Sequence, residues 1–319
     1  MEWLRRIRNN PWYIFSSLGG HGLLNWMPDE IYLKLAYRGF LGEKLDLENP
    51  KTFNEKLQWL KIHDRNPFYS TLVDKYRVKA WVAEQIGVEH VVSTYGCWDR
   101  VDDINLNSLP DKFVLKTNHD SGGVVICRNK DTFDSKAAKL KLSKHLKNNM
   151  YWYAREWPYK DVTPLIFAEE FLDPNEISTG YCAAESDSCP ADYKVSCFAG
   201  KPKLVEVHRG RFTQHTCDYY TPDWEPITSI DWGGVPFSND GVEPPECLDE
   251  MLRLSSILVE GFPQARVDWY VVNKRLLFGE ITFFSGAGFD PLDKNSDELL
   301  GSWIDLNYSF DRQRMLNNE

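Results

Sequence analysis

The 319-residue sequence lacks the cysteine patterns that build metal knots or disulfide frameworks. Its seven cysteines (Cys97, Cys127, Cys182, Cys189, Cys197, Cys217 and Cys247) form no Cys-x-x-Cys pair and no Cys/His spacing typical of zinc. An odd, scattered set reads as free thiols in a reducing compartment, and structural zinc is not expected. Long apolar runs are also missing, since none approaches the ~18 residues of a membrane-spanning helix. Positive charge is scarce: 37 Lys and Arg against 47 Asp and Glu leave a formal net charge of −10. Broad nucleic-acid binding needs a basic face, so nucleic acid is not an expected partner. A small anionic substrate remains compatible, because a local cationic cluster or a bound metal outweighs the global charge. No internal repeat or low-complexity segment is visible.

Aromatic side chains, by contrast, are abundant, with 12 Trp, 15 Tyr and 17 Phe. They fill cores but also stack on adenine or sugar rings, so their number alone decides nothing. With 42% hydrophobic and 26% charged residues the chain has an ordinary globular composition, long enough for two subdomains and an N-terminal extension. The segment from Met1 to Met27 has two readings. Its basic start and apolar Trp12–Leu18 suit either helices packed on the protein or a peripheral contact with a membrane surface. Gly19, Gly20 and His21 interrupt the apolar stretch and no clear cleavage pattern follows, so the expected location is the cytoplasm.

Along the chain, residues 28–61 read as helices broken at Gly39, Gly42 and Pro50. Thr52 and Glu55 have the spacing of a capping box opening a helix through Lys61. A further helix is expected from Thr71 to Ile86, stopped by Gly87. Lys112–Thr117 and Val124–Cys127 alternate as strands around a polar turn, and Ser135–Tyr153 reads as a lysine-rich helix. Leu165–Leu172 reads as a buried strand and Asp173–Ala191 as a polar loop. Strands follow at Tyr193–Phe198 and Lys203–Val207, then an amphipathic helix at Glu246–Glu260 and a last hairpin, Arg266–Val272 with Leu276–Thr282. Helices and antiparallel hairpins in blocks argue an α+β fold.

The final hairpin carries the most specific chemistry. Alternation puts Arg266, Asp268 and Tyr270 on one strand face, and Glu280 shares a face with Thr282. Two carboxylates on adjacent strands beside oxygen donors suit Mg²⁺, although charged strand faces are usually just solvated. Asp268 faces Glu280 directly if Val272 opposes Leu276, which leaves Asn273-Lys274-Arg275 as a three-residue loop. Lys116 precedes the turn Thr117-Asn118-His119-Asp120-Ser121-Gly122-Gly123, where an ammonium and backbone N–H groups can hold phosphates; a plain hairpin turn is the simpler reading. Lys75 and Lys79 share a helical face that solvation alone would explain. Glu169, Glu170, Phe171 and Leu172 end an apolar strand whose exposed backbone could pair with an adenine edge. Arg209, Arg211 and His215 could bind an anionic sugar or nucleotide-sugar phosphate, or be rim charges. His119 reads equally as a substrate contact or a structural hydrogen-bonding group.

The order of these elements resembles the ATP-grasp series of the D-alanine–D-alanine ligases. More closely, the run from Asn49 through Pro50, Lys51, Thr52, Phe53, Asn54 and Glu55 to Lys61 resembles the hallmark of TupA-like proteins of surface-polysaccharide biosynthesis. Leu109–Lys116, Asp192-Tyr193-Lys194 and Phe278–Phe283 are similar to that family too. The resemblance implies an ATP-grasp fold with a helical extension over 1–70, a first subdomain over 71–168 and a second over 169–319. It implies that Lys75 and Lys116, with Lys79 as a third cation, hold ATP phosphates under the Ser121–Gly123 loop. By the same resemblance Glu169–Leu172 form the adenine hinge and Asp192 contacts the ribose. Asp268 and Glu280 would ligate Mg²⁺, and Arg266 would steady an acyl phosphate; Thr282 stands where the ligases usually carry a third, Asn ligand. The implied activity is ligation of a uronic-acid carboxylate to an amine, with ATP and Mg²⁺. A sugar kinase or a glycosyltransferase is the alternative, although the Asp-x-Asp element glycosyltransferases usually carry after an apolar strand is missing.

Overall fold

The computed structural model describes residues 10–20, 22–173, 192–210, 214–232 and 234–308. Helix α1 (Tyr13–Gly20) lies against α2 (Asp29–Leu41), which runs through Gly39 and ends where Gly42 adopts a left-handed φ of 80°. Helix α3 (Phe53–His63) opens as its sequence predicts. The Thr52 hydroxyl accepts from Glu55 N at 3.3 Å, and the Glu55 carboxylate accepts from Thr52 N at 3.2 Å, so two orphan donors are satisfied reciprocally.

The single helix expected from Thr71 to Ile86 is instead two, α4 (Tyr69–Val73) and α5 (Val78–Ile86). The cause is Asp74. Its extended backbone lets the buried carboxylate accept from Tyr76 N and Arg77 N at 3.0 Å each, a local turn that outcompetes the helix. Lys75 therefore sits in a break and does not share a helical face with Lys79.

Strands β1 (Thr94–Trp98), β2 (Phe113–Thr117), β3 (Val124–Cys127) and β4 (Ile166–Glu170) form an antiparallel sheet in the order β1-β4-β2-β3. The helix expected over Ser135–Tyr153 is divided into α6 (Ser135–His145) and α7 (Met150–Ala154). The loop expected at Asp173–Ala191 lies, from residue 174, outside the described residues.

Strands β5 (Asp192–Phe198), β6 (Lys201–Arg209), β7 (Thr216–Tyr220), β8 (Gln264–Val272) and β9 (Arg275–Thr282) form a second antiparallel sheet, in the order β7-β6-β5-β8-β9. One face is apolar: Val195, Val205, Val267 and Trp269 are buried in the cluster that also holds Met251, Leu254 and Leu258 of α8 (Leu248–Leu258). The Trp269 indole donates to Ser255 Oγ at 2.8 Å, so its one polar atom is satisfied inside that core. The opposite face carries the charged side chains Lys194, Glu206, Asp268 and Glu280. Helix α9 (Lys294–Trp303) closes the fold against α3, so closely that a Cβ on Gly301 would meet Lys51 O at 2.3 Å.

The β8–β9 connection corrects the expected three-residue loop. Val272 opposes Arg275, leaving a two-residue turn in which Asn273 and Lys274 take φ of 51° and 60°. Such a turn would by itself turn Asp268 and Glu280 to opposite faces. A bulge at Gly279 shifts the register by one, and the two carboxylate residues end up directly opposed.

Candidate active site

Sheet register brings four charged residues into one row. Glu206 on β6 opposes Lys194 on β5, Lys194 opposes Asp268 on β8, and Asp268 opposes Glu280 on β9. The Lys194 ammonium contacts the Asp268 carboxylate and lies 3.1 Å from Asp192. One row on, Arg266 opposes Thr282 and folds back in a fork: its Nε donates to Asp268 Oδ1 at 2.6 Å and its Nη2 to Oδ2 at 2.9 Å. Arg266 Nη2 also donates to Thr282 Oγ1 at 3.3 Å.

Charge in this row is dense and largely dry. Burial by itself would raise the Asp268 carboxyl, but Arg266 and Lys194 override it and hold the group at about 2. Burial disfavours the Arg266 cation, yet Asp268 and Glu206 hold its proton still more firmly than usual. Burial opposes ionisation of Glu280 as well, but Lys75, Lys194 and Arg266 together outweigh it, so the group stays below the usual range. Glu280 keeps 38% of its side chain exposed and is the open member of the row.

Three ammonium groups gather nearby, Lys116 from β2, Lys79 from α5 and Lys75 from the break between α4 and α5. Lys75, freed by the break at Asp74, donates to Asp120 O at 3.0 Å and reaches Glu280 at 3.4 Å. Lys116 and Lys79 converge on one carboxylate: Glu169 contacts Lys116 through one oxygen and Lys79 through the other, at 2.8 Å. Burial would raise the Glu169 pKa, but these two lysines lower it, so Glu169 keeps both ammonium heads in place as a buried anion. Arg275 to Glu170, at 3.0 Å, ties the sheets together at the same end.

The glycine turn is held from within. Thr117 N donates to Gly123 O at 2.8 Å, Thr117 Oγ1 bonds Asp120, and the other Asp120 oxygen meets His145 Nδ1 at 2.5 Å. Ser121 and Gly122 are exposed at its tip. His119 is buried, with Nδ1 on Asn118 Oδ1 and Nε2 on Asn148 O, both at 3.1 Å. Glu169 and Glu170 have their backbones paired within the sheet, while Phe171 and Leu172 follow its end; the Phe171 ring packs under Arg128 at 5.0 Å. Asp192 opposes Tyr270, at the end of the charged face.

The hallmark segment lies behind this site. Buried Lys61 donates to Gln58 Oε1, Ala154 O and Ala287 O at 3.0, 2.8 and 2.7 Å. Gln58 donates to Gly288 O at 2.6 Å, and Asn54 to Asp290 O at 3.0 Å. These bonds hold a loop in which Gly286, Ala287 and Gly288 all have left-handed φ of 53°, 54° and 63°. Ser285 at the head of that loop accepts from Arg266 Nη1 at 3.5 Å, so α3 braces the guanidinium through the loop.

The remaining candidates separate. Arg209 alternates away from the charged face and pairs with Asp218 at 3.5 Å, and Arg211 lies outside the described residues. His215 joins the charged face, its Nε2 3.0 Å from His208 Nδ1. Two groups of the charged face stand outside the sequence-predicted site residues. Lys194 was visible as a lone lysine in the apolar run Tyr193–Phe198. Glu206, His208 and Cys217 are brought together only by the β6–β7 pairing, with candidate ligand atoms all within 4.8 Å of one another.

The sequence profile of the TupA-like ATPgrasp family matches residues 55–305. No curated protein matches the chain. Similar solved structures include the D-alanine–D-alanine ligase from Bacillus anthracis complexed with ATP, at 17% identity over 67% of this chain and 55% of that one, with a TM-score of 0.37. The D-alanine–D-alanine ligase from Helicobacter pylori is 13% identical over 79% and 69%, with a TM-score of 0.39. The ATP-grasp ligase PsnB complexed with minimal precursor, Mg and ADP is 10% identical over 73% and 60%, with a TM-score of 0.36. The chain thus spans little more than half the length of the first of these.

Proposed function

The chain belongs to the TupA-like ATPgrasp family and has its α+β ATP-grasp fold, and from that premise we propose that it is an ATP- and Mg²⁺-dependent ligase joining a carboxylate to an amine through an acyl phosphate. The observation that carries the reading is the opposition of Asp268 and Glu280, with Arg266 forked onto Asp268, Lys75 reaching Glu280, and Lys79 and Lys116 gathered on Glu169. Asp268, Glu280 and Thr282 are hard oxygen donors of the kind Mg²⁺ takes together with nucleotide phosphates. Lys194 now neutralises Asp268 and has Asp192 as a second partner at 3.1 Å, so Asp268 can be released to a metal without stranding the ammonium. When bound, the metal would neutralise phosphate charge and polarise the transferring group.

The protein's own residues do the rest. A carboxylate is a poor electrophile because direct amine attack would have to expel oxide. Its oxygen first takes the γ-phosphoryl group of ATP, and ADP leaves. The amine then attacks the acyl carbon, loses a proton and releases inorganic phosphate. Lys75, Lys79 and Lys116 cancel the repulsion between the two anions, and Arg266, braced by Ser285, holds the acid oxygens at the transferring phosphoryl group. The flanks of the turn at Ser121–Gly123 are fixed by Thr117 and Asp120, which leaves its tip to cover phosphates.

In this reading the acid is a uronic acid of a surface polysaccharide or of its nucleotide-sugar precursor, the amine is an amino acid or related amine, and the site of action is the cytoplasm. Exposed Leu23, Trp26 and Ile31 support a peripheral contact with the membrane, while no helix among the described residues is long and apolar enough to cross one. The test is product mass spectrometry with ATP, Mg²⁺ and a panel of uronates and amines. An amide, ADP and phosphate in equal amounts supports the reading; ATP consumption that leaves a phosphorylated sugar overturns it.

A further inference from the structure

On the same sheet face, starting from Glu206 at the outer end of the charged row, β6 and β7 build a second cluster whose chemistry differs from that of the Asp268–Glu280 pair. His208 opposes Cys217 across the ladder, and Glu206 lies two residues before His208, so all three side chains project from one face. Glu206 and Cys217 are buried and His208 is half-buried. One atom, His208 Nε2, is central: Glu206 Oε2 lies 3.5 Å from it and Cys217 Sγ 3.6 Å.

An N···O separation of 3.5 Å is too long for a good hydrogen bond. Both distances nevertheless match the edges of a tetrahedral zinc site. With Zn–N and Zn–O near 2.0–2.2 Å and Zn–S near 2.3 Å, tetrahedral angles put N and O about 3.4 Å apart and N and S about 3.6 Å apart. The surroundings orient the donors as a metal site requires. His215 Nε2 engages His208 Nδ1 at 3.0 Å, which leaves Nε2 as the ligating nitrogen. Ser196 Oγ donates to Glu206 Oε1 at 3.2 Å, which leaves Oε2 turned toward His208.

We propose that Glu206, His208 and Cys217 form a binding site for one Zn²⁺ ion, distinct from the Mg²⁺ site. A thiolate and an imidazole select a borderline-soft ion and disfavour Mg²⁺. Three protein ligands leave a four-coordinate ion one position for water or an acceptor oxygen, which is the arrangement of sites that act on a bound molecule. Lys194 and Asp192, both on this face, separate the cluster from Asp268. The proposal stands on these side chains and does not need the ligase reading.

Its test uses the full-length chain, stripped of metal by chelator, and Co²⁺ as a spectroscopic stand-in for Zn²⁺. One equivalent of Co²⁺ should produce a near-ultraviolet thiolate-to-metal band, and one equivalent of Zn²⁺ should abolish it, with or without ATP. Cys217→Ser should lose the band while the other cysteines remain. Glu206→Gln should keep it and weaken Co²⁺ by more than the 10- to 100-fold typical of an outer-shell change. If Cys217→Ser fails to fold, Glu206→Gln together with the wild-type stoichiometry decides. No band in the wild type, a band that survives Cys217→Ser, or unchanged affinity in Glu206→Gln would overturn the site.

Discussion

Asp268 opposes Glu280 across the β8–β9 ladder, one step before the bulge at Gly279 shifts the register from there to the turn. The bulge is tightly enclosed: a Cβ on Gly279 would lie 3.0 Å from Asp268 O and 3.2 Å from the Tyr270 ring. Gly279→Val should therefore push the strands apart at the carboxylate pair. The expected loss is about 100-fold in kcat, as for an ångström-scale misplacement, with a small change in Tm. Wild-type turnover in this variant would show that the pairing geometry does not matter.

Asp268 also gives the protein an acid-sensitive element. Its pKa is lowered from 3.8 to about 2, so the folded state binds this proton less tightly than the unfolded chain does. The stabilisation is fully present above about pH 4 and is lost as pH falls through about 2; its size is on the order of 2 kcal/mol. Asp268→Asn should abolish metal-dependent turnover with a milder loss of ATP affinity. The Tm gap between wild type and this variant should narrow as pH falls from 4 to 2. A gap constant over that range would contradict the role of Arg266 and Lys194 as its charge partners.

Lys116→Ala should weaken ATP binding by at least about tenfold, the effect of losing one charge-assisted phosphate contact. Because Glu169 retains Lys79 at 2.8 Å, the apo protein should lose only a few degrees of Tm. Replacing both lysines strands a buried carboxylate and should cost disproportionately more than the sum of the single changes. Calorimetric ATP titration and thermal melts of the two single variants and the double variant check this.

Behind the site, Lys61→Met leaves Ala154 O and Gln58 Oε1 without their donor, while Ala287 O keeps Gln58 Nε2 at 3.1 Å. The expected cost is about 2–4 kcal/mol, together with a fall in kcat transmitted through Ser285 to Arg266. Ala287→Gly relieves a left-handed alanine and should instead stabilise by up to about 1 kcal/mol. Denaturant unfolding of both variants gives the signs directly; a stabilising Lys61→Met would remove the brace from the account.

The parts legible in the sequence were those that repeat locally. Alternation in Arg266–Tyr270 and Glu280–Thr282 exposed the charged face, and the Thr52/Glu55 pair exposed its capping box. What escaped depended on partners distant in sequence. The Asn273-Lys274 turn puts a lysine at a left-handed position that pattern reasoning reserves for glycine, and the compensating bulge at Gly279 is set by the opposing strand. The break at Asp74 was hidden because the same carboxylate also takes Asn118, 44 residues away. Lys194 and the Glu206–His208–Cys217 group gain meaning only once β5, β6, β7 and β8 are side by side.

The central claim is that Arg266, Asp268 and Glu280 serve the activation of a carboxylate, and oxygen tracing tests it most directly. Acid substrate labelled with ¹⁸O in its carboxylate is incubated with ATP, Mg²⁺ and amine, and the products are weighed by mass spectrometry. The account predicts one ¹⁸O in the released inorganic phosphate, with ADP and an amide formed in equal amount, and little phosphate when the amine is omitted. An amide accompanied by unlabelled phosphate, or a phosphorylated product with no free phosphate, would contradict it.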